Sequence, residues 1–167
     1  MGVGVRQPVK AFVALGANLG DASQTLREAL VQLASMPGVQ AGSLRASGFY
    51  RTAPMESTGP DYINAVAELV TTLTAPALLR ALQLIEDAAG RQRPYRNAPR
   101  TLDLDLLLYG EGRIDAPPWL VVPHPRMWAR AFVLVPLHEL APGLVSPEVL
   151  AGVGAQMADV QRLPNAV

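Results

Sequence analysis

Apolar and polar positions change their period several times along this chain, and each change marks an element. Val9 to Leu15 is a short apolar run closed by Gly16, the pattern of a buried strand. In the "GANLGD" that follows, Asp21 or Ser23 can cap a helix. Leu26, Ala29, Leu30 and Leu33 then recur at i, i+3, i+4 and i+7, which predicts an amphipathic helix stopping before Pro37. Leu44 to Arg51 predicts a second strand, and "TAPMESTGPD" is a loop of turn residues. Tyr62 to Leu73 alternates and is rich in β-branched residues, a third strand in which Tyr62 and Asn64 share one face.

The pattern then returns to a helical period. Thr74 is placed to cap a helix with Pro76 tolerated in its first turn, Leu78, Leu79, Leu82 and Ile85 form the stripe, and Gly90 stands where a helix-ending glycine should. "RQRPYRNAP" is a loop by composition, and Thr101 to Tyr109 is the fourth strand, turned by "GEG" at 110–112 into a short hairpin arm. The order β-α-β-β-α-β matches the split βαβ arrangement, so the expected class is α+β, a ferredoxin-like βαββαβ core with a C-terminal extension. In that extension "PPWLVVPHPR" reads as extended, and "MWARAFVLVPLHEL" as helical in part, with Pro136 ending or kinking it. A short helix is expected from Pro147. With no internal repeat or linker, residues 1–167 read as a single domain.

Composition narrows the class of function. Half of the 167 residues are hydrophobic and the formal net charge is zero, which is globular and lacks the broad basic surface of a nucleic-acid binder. The absence of cysteine excludes disulfides and thiolate metal sites. No apolar run approaches the roughly 18 residues needed to span a bilayer, and "MGVGVRQPVK" has no secretory apolar region. A soluble cytoplasmic monomer or small oligomer is the expectation, with no membrane or nucleic-acid partner.

The candidate chemistry lies in "PRTLDLDLLLYG". On a strand, Asp103 and Asp105 face one way, about 6.5–7 Å apart at Cα, while Leu102, Leu104 and Leu106 face the core. Two like charges so close repel unless a cation lies between them, and hard oxygens at this spacing suit Mg²⁺, which takes one or two carboxylates plus phosphates and waters. Taken alone, such a pair is more often solvated than functional. Its neighbours change the picture: Arg91, Arg93, Arg96 and Arg100 enter the acidic strand, and guanidinium forks match phosphate oxygens. Carboxylates for metal beside arginines for phosphate are the parts of polyphosphate chemistry. There is no G-x-x-x-x-G-K-[ST], so this is not a P-loop protein.

"RNAPRTLDLDLLLYG" resembles the signature of the 6-hydroxymethyl-7,8-dihydropterin pyrophosphokinase family of folate biosynthesis. "VALGANLGD", "SGFYRTAPM", "PDYINAV", "GRQRPYRNAPRTLDLDLLLY" and "VPHPRMWARAFVLVPLHELAP" resemble further family segments in order, over nearly the whole chain. The resemblance implies pyrophosphoryl transfer from the co-substrate ATP to the pterin's hydroxymethyl oxygen, releasing AMP. It implies two Mg²⁺ ions on Asp103 and Asp105, with Arg91 and Arg100 as catalytic residues. ATP would be met by Glu86, Arg93, His124 and Arg130. The pterin would lie among Thr52, Pro54, Met55, Tyr62, Asn64 and Phe132, with Phe132 stacking on its ring. Asn64 offers a donor and an acceptor, which suits the mixed edge of an aminopterin.

One departure stands out. Asn97 occupies a position where many family members carry Trp, and it cannot stack in the same way, although Tyr95 is close by in sequence. Three rivals make other demands. A non-catalytic module of the same fold gives no reason for acids on the strand face, and a sheet-type RNA binder needs exposed aromatics on strands that here are rich in Leu and Val. A metal-dependent phosphohydrolase would need a positioned water in place of an alcohol acceptor.

Overall fold

The computed structural model describes residues 6–53, 60–90 and 102–164. In chain order these form β1 (Val9–Ala17), α1 (Ala22–Ala34), β2 (Arg45–Ala46), β3 (Tyr50–Thr52), β4 (Tyr62–Thr71), α2 (Ala75–Gly90) and β5 (Asp103–Tyr109). A two-stranded hairpin, β6 (Ile114–Ala116) and β7 (Leu120–Val122), follows. Then come α3 (Ala131–Leu140), α4 (Pro147–Gly152), α5 (Gly154–Met157) and β8 (Val160–Arg162). The main sheet runs β5-β1-β4-β3-β8, with β2 also on β4, and its pairings are antiparallel. The class is α+β. Among the described residues no helix is long and apolar enough to cross a membrane.

The sheet separates two cores because its strands alternate. Val13 and Leu15 of β1, Ile63, Ala65 and Leu69 of β4, and Leu104 and Leu106 of β5 pack with Leu26 and Leu33 of α1 and Leu78 and Leu82 of α2. On the other face Phe12, Val66 and Leu107 meet Leu134 and Leu137 of α3. The caps fall where the side chains allow: Asp21 accepts from the Gln24 N–H at 3.1 Å, and Thr74 Oγ1 from the Ala77 N–H at 3.2 Å.

Several expectations are corrected. β1 does not stop at Leu15 but runs through Gly16 to Ala17. The predicted strand from Leu44 to Arg51 is split, because Ala46 pairs with Ala67 and Tyr50 with Asn64, four steps on one strand against three on the other. Ser47 spans this bulge: its N–H donates to the Val66 carbonyl at 2.8 Å, and its Oγ accepts the Val66 N–H at 3.0 Å. A second bulge lies in β5, where Phe12 faces Leu108 but Val13 faces Leu106. The extra residue, Leu107, turns with Leu108 toward the α3 side. The turn at 110–112 forms, with the Gly112 N–H on the Tyr109 carbonyl, yet the arm beyond it pairs with β7 rather than folding back on β5. Pro136 does not end α3. Its helix continues to Leu140, carried by six buried residues that include Pro136 itself. Ser146 caps the expected helix from Pro147, and β8 adds an unforeseen strand on β3.

Glu139, near the end of α3, ties these irregular parts together. Its carboxylate accepts from the Gly48 N–H at 3.0 Å, the Tyr50 hydroxyl at 2.5 Å and the Arg162 guanidinium at 3.2 and 3.3 Å. The fastening joins α3 to the bulge, to β3 and to β8. A Cβ at Gly48 would lie 2.6–2.8 Å from the Arg162 guanidinium, so a larger residue there would displace that side chain from Glu139. Burial works to raise the Glu139 carboxyl, but hydrogen bonds from Arg162, Tyr50 and Gly48 outweigh it and hold the group below the ordinary glutamate value. The Tyr50 hydroxyl is pushed up to about 12, first by burial and then by its bond to Glu139 and that carboxylate's charge.

This fastening predicts a pH-dependent stability difference. Tyr50→Phe should cost about 1.5–3 kcal/mol at neutral pH, the worth of a hydrogen bond to a charged acceptor. A raised folded-state pKa makes the tyrosine's contribution complete below the ordinary tyrosine value of 10.0 and lost as pH rises through about 12. Urea denaturation of both proteins should therefore show a gap that closes over that alkaline window. A gap that stays constant through it would separate the stabilisation from the hydroxyl's proton.

Candidate active site

α3 covers only part of its face of the sheet. Beyond Phe12, Val66 and Leu107 the same face carries Ala14 and Gly16 from β1, Asn64 and Tyr62 from β4, Thr52 from β3, and Asp103 and Asp105 from β5. Register sets them in rows. Asp103, Gly16, Asn64 and Tyr50 lie side by side across four strands, and Asp105 lies beside Ala14. Asp103 and Asn64 are thus two inter-strand spacings apart, roughly 10 Å, with only the small residues of β1 as the floor between them. This open end is a cavity of about 600 Å³, walled by α2, by the segment after β7 and by the first turn of α3.

At its β4 end, Asn64 and Thr52 are buried polar residues, and the Asn64 Nδ2 donates to Thr52 Oγ1 at 3.0 Å. That bond fixes the carboxamide and sends its Oδ1 over Gly16, where a Cβ would lie 3.1 Å away. Tyr62 is half-buried beside them. Phe132, in the first turn of α3, carries the Arg130 guanidinium over its ring at 5.4 Å from the centroid.

At the β5 end both aspartates are exposed into the cavity while Leu104 and Leu106 go to the core, as the alternation predicts. Among the described residues β5 is the sheet's edge. The outward N–H of Leu104 is met by Glu86 Oε2 of α2 at 2.7 Å. His124 closes the site behind Asp105. Its backbone N–H donates to the Leu107 carbonyl at 2.9 Å, and its Nδ1 accepts the Arg126 N–H at 3.2 Å, so a neutral ring carries its proton on Nε2. Burial lowers the His124 pKa below the ordinary histidine value, and the charges of Arg130 and Arg126 lower it further, outweighing the upward pull of Asp105.

The nine candidate residues that the structure describes, Thr52, Tyr62, Asn64, Glu86, Asp103, Asp105, His124, Arg130 and Phe132, all line this one cavity. Pro54, Met55, Arg91, Arg93 and Arg100, with Tyr95, Arg96 and Asn97, lie outside the described residues. Sequence reasoning missed Gln83 and Arg126, which also line the cavity, and took Gly16 for a strand end. Gln83 precedes Glu86 by three residues and so shares its helical face, a signal that was there to be read. Among the described residues no group of three His, Asp or Glu is gathered to hold a metal by itself. Two carboxylates facing a space large enough for phosphate and water do fit Mg²⁺, which draws its remaining ligands from those.

Comparison with known proteins agrees over most of the chain. Residues 12–142 match the model of 7,8-dihydro-6-hydroxymethylpterin-pyrophosphokinase. The 2-amino-4-hydroxy-6-hydroxymethyldihydropteridine pyrophosphokinase of Pseudomonas aeruginosa is 42% identical over 164 residues, covering 94% of this chain and 98% of that protein. Its namesake from Synechocystis sp. is 42% identical over 137 residues, covering 82% of this chain and 69% of that one. In fold, the chain is similar to the crystal structure of a Plasmodium falciparum HPPK-DHPS triple mutant with pteroate. The TM-score is 0.64 at 12% identity, over 93% of this chain and 47% of that one. The chain belongs to the 7,8-dihydro-6-hydroxymethylpterin-pyrophosphokinase family.

Proposed function

We propose that this protein transfers the terminal pyrophosphoryl group of ATP to the hydroxymethyl oxygen of 6-hydroxymethyl-7,8-dihydropterin, a step of folate biosynthesis. The oxygen bonds to the β-phosphorus and loses its proton, the bond between that phosphorus and the α-phosphate's bridging oxygen breaks, and AMP leaves. The observation that carries this reading is the cavity itself. Its acids stand on the edge strand and its buried carboxamide and aromatic ring about two strands away, so a charged and a flat substrate can lie end to end across β1. The strand order β5-β1-β4-β3, with helices α1 and α2 on one face, supports the ferredoxin-like core. One sheet shared by both cores supports a single domain over residues 1–167. The reading is of a monomeric, cytoplasmic enzyme.

Each residue has a role in this proposal. Asn64, held by Thr52, presents its amide to the pterin edge, and Tyr62, Pro54 and Met55 complete the pocket. Phe132 stacks on the ring. Asp103 and Asp105 hold two Mg²⁺ ions, which when bound neutralise the phosphate charge. His124 is kept neutral by its burial, so it donates Nε2–H to the nucleotide without adding a charge beside Asp105. Arg130 meets phosphate, Arg93 positions ATP, and Glu86 stands at its sugar or base. Arg91 and Arg100 meet the charge that builds on the transferring group.

The direct test is incubation of the protein with ATP, Mg²⁺ and the hydroxymethyl-dihydropterin, with AMP expected as the nucleotide product. ADP in its place would rule the transfer out. Asp105→Ala should abolish AMP release while leaving the thermal midpoint unchanged, because this acid is exposed and outside the core. Wild-type turnover in that variant at saturating Mg²⁺ would contradict the metal role.

Arg100→Ala and Arg91→Ala should each lower kcat by on the order of 10²–10³, as loss of a transition-state donor does. ATP affinity by calorimetry should fall by much less. Equal losses in affinity and turnover for Arg100→Ala would make it a ground-state clamp.

A further inference from the structure

The C-terminal segment lies beyond the residues matched by the family model, which end at 142, and none of the candidate site residues comes from it. One of its side chains nevertheless reaches the backbone on either side of Arg130, a residue that lines the cavity. Gln156 stands in α5, a four-residue helix with no buried residue of its own, and is itself half-buried. Its Oε1 accepts the Ala131 N–H at 3.0 Å, and its Nε2 donates to the Ala129 carbonyl at 3.0 Å. Those two groups flank Arg130.

The two bonds complete a local lock. Arg130 has extended dihedrals, φ −124° and ψ 111°, between a 3₁₀ turn (Met127–Ala129) and α3. Its N–H donates to the Met127 carbonyl at 3.3 Å, and its carbonyl accepts from the Val133 and Leu134 N–H groups at 3.1 and 3.0 Å. The Ala131 N–H is one of the helix-start donors that the helix cannot satisfy, and the Ala129 carbonyl closes the preceding turn. The Gln156 carboxamide, a donor and an acceptor in one plane, holds both as a neighbouring strand would. Every backbone polar group from the Ala129 carbonyl to the Ala131 N–H then has a partner. Arg130 keeps only side-chain freedom, and its stacking on Phe132 limits that.

We propose that Gln156 is a positioning residue for Arg130, through which the C-terminal segment governs how the cavity engages the phosphates of ATP. The inference rests on the functional reading above, in which Arg130 meets phosphate. Losing the amide frees the residue-130 backbone at a junction of two helices, and the guanidinium then has to be ordered by the nucleotide. That cost falls on ATP binding rather than on the chemical step.

The test uses the full chain and compares wild type with Gln156→Met, Gln156→Ala, Arg130→Ala and the Gln156→Met/Arg130→Ala double variant. Methionine keeps the volume and removes both hydrogen bonds, so it isolates the amide from packing. AMP release is measured with each substrate varied, at a temperature well below every thermal midpoint. Gln156→Met and Gln156→Ala should each raise the KM for ATP about tenfold, the size usual for a group that orients a ligand-binding residue. kcat and the KM for the pterin should change by far less. Adding Gln156→Met to Arg130→Ala should change nothing further. An unchanged KM for ATP in both single variants overturns the proposal. So does a rise shared equally by both substrates, or a double variant that loses the product of the two single effects. If Arg130→Ala itself leaves the KM for ATP alone, the phosphate role of Arg130 fails and the proposal falls with it, an outcome distinct from the others.

Discussion

β1 has to serve three environments with nine residues, and everything else is arranged around that constraint. Its odd positions, Ala11, Val13, Leu15 and Ala17, go to the core with α1 and α2, and Phe12 goes to the core with α3. Ala14 and Gly16 are left for the cavity floor. Alternation makes these duties inseparable, because a one-residue slip would send Leu15 into the cavity and Gly16 into the core. With β4 on one side and β5 on the other, β1 also fixes how far Asp103 stands from Asn64. The cavity's width is therefore a property of the sheet.

Two bulges make this compatible with the covering of α3. In β5 the extra Leu107 places two successive leucines on the α3 side, so the strand is apolar under the helix and acidic beyond it. In the segment before β4, the step at Ser47–Gly48 shifts β3 so that Tyr50 falls beside Asn64, and the freed Gly48 N–H goes to Glu139. Both irregularities change what one sheet face does along its length, from packing to presenting polar groups. Glu139 and Gln156 act alike on opposite ends of α3, each using one side chain to hold backbone that has left regular pairing.

Much of this was legible in the sequence wherever chemistry and period coincided. Leu26, Ala29 and Leu33 announced α1, Leu78, Leu82 and Ile85 announced α2, and "LDLDL" declared both its faces. The bulge at Leu107 was illegible because Leu106, Leu107 and Leu108 are identical, so hydrophobicity cannot say which of them turns. β8 carries Gln161 and Arg162 and has no alternating apolar pattern; only its pairing to β3 makes it a strand. Pro136 was read by its local effect on a helix, and burial on nearly every side overrode that. At the site, the residues that declared themselves were those with distinctive chemistry in a distinctive order. Gly16, which contributes empty space, and Gln156, which contributes an amide from a distant segment, had no such signature.

The bond between Glu86 and the Leu104 N–H has a consequence for the protein's solubility. A strand reading "DLDLLLY" at the edge of a sheet is the kind of surface that recruits another chain's strand and begins a fibril. Glu86 occupies the outward backbone donor that an incoming strand would need first, and α2 brings it there as part of normal folding. Asp103 and Asp105 add charges that a second copy of the same strand would have to stack against its own. Charge at this edge thus opposes edge-to-edge strand pairing as well as serving the cavity, and a variant that neutralises it removes one obstacle to such pairing.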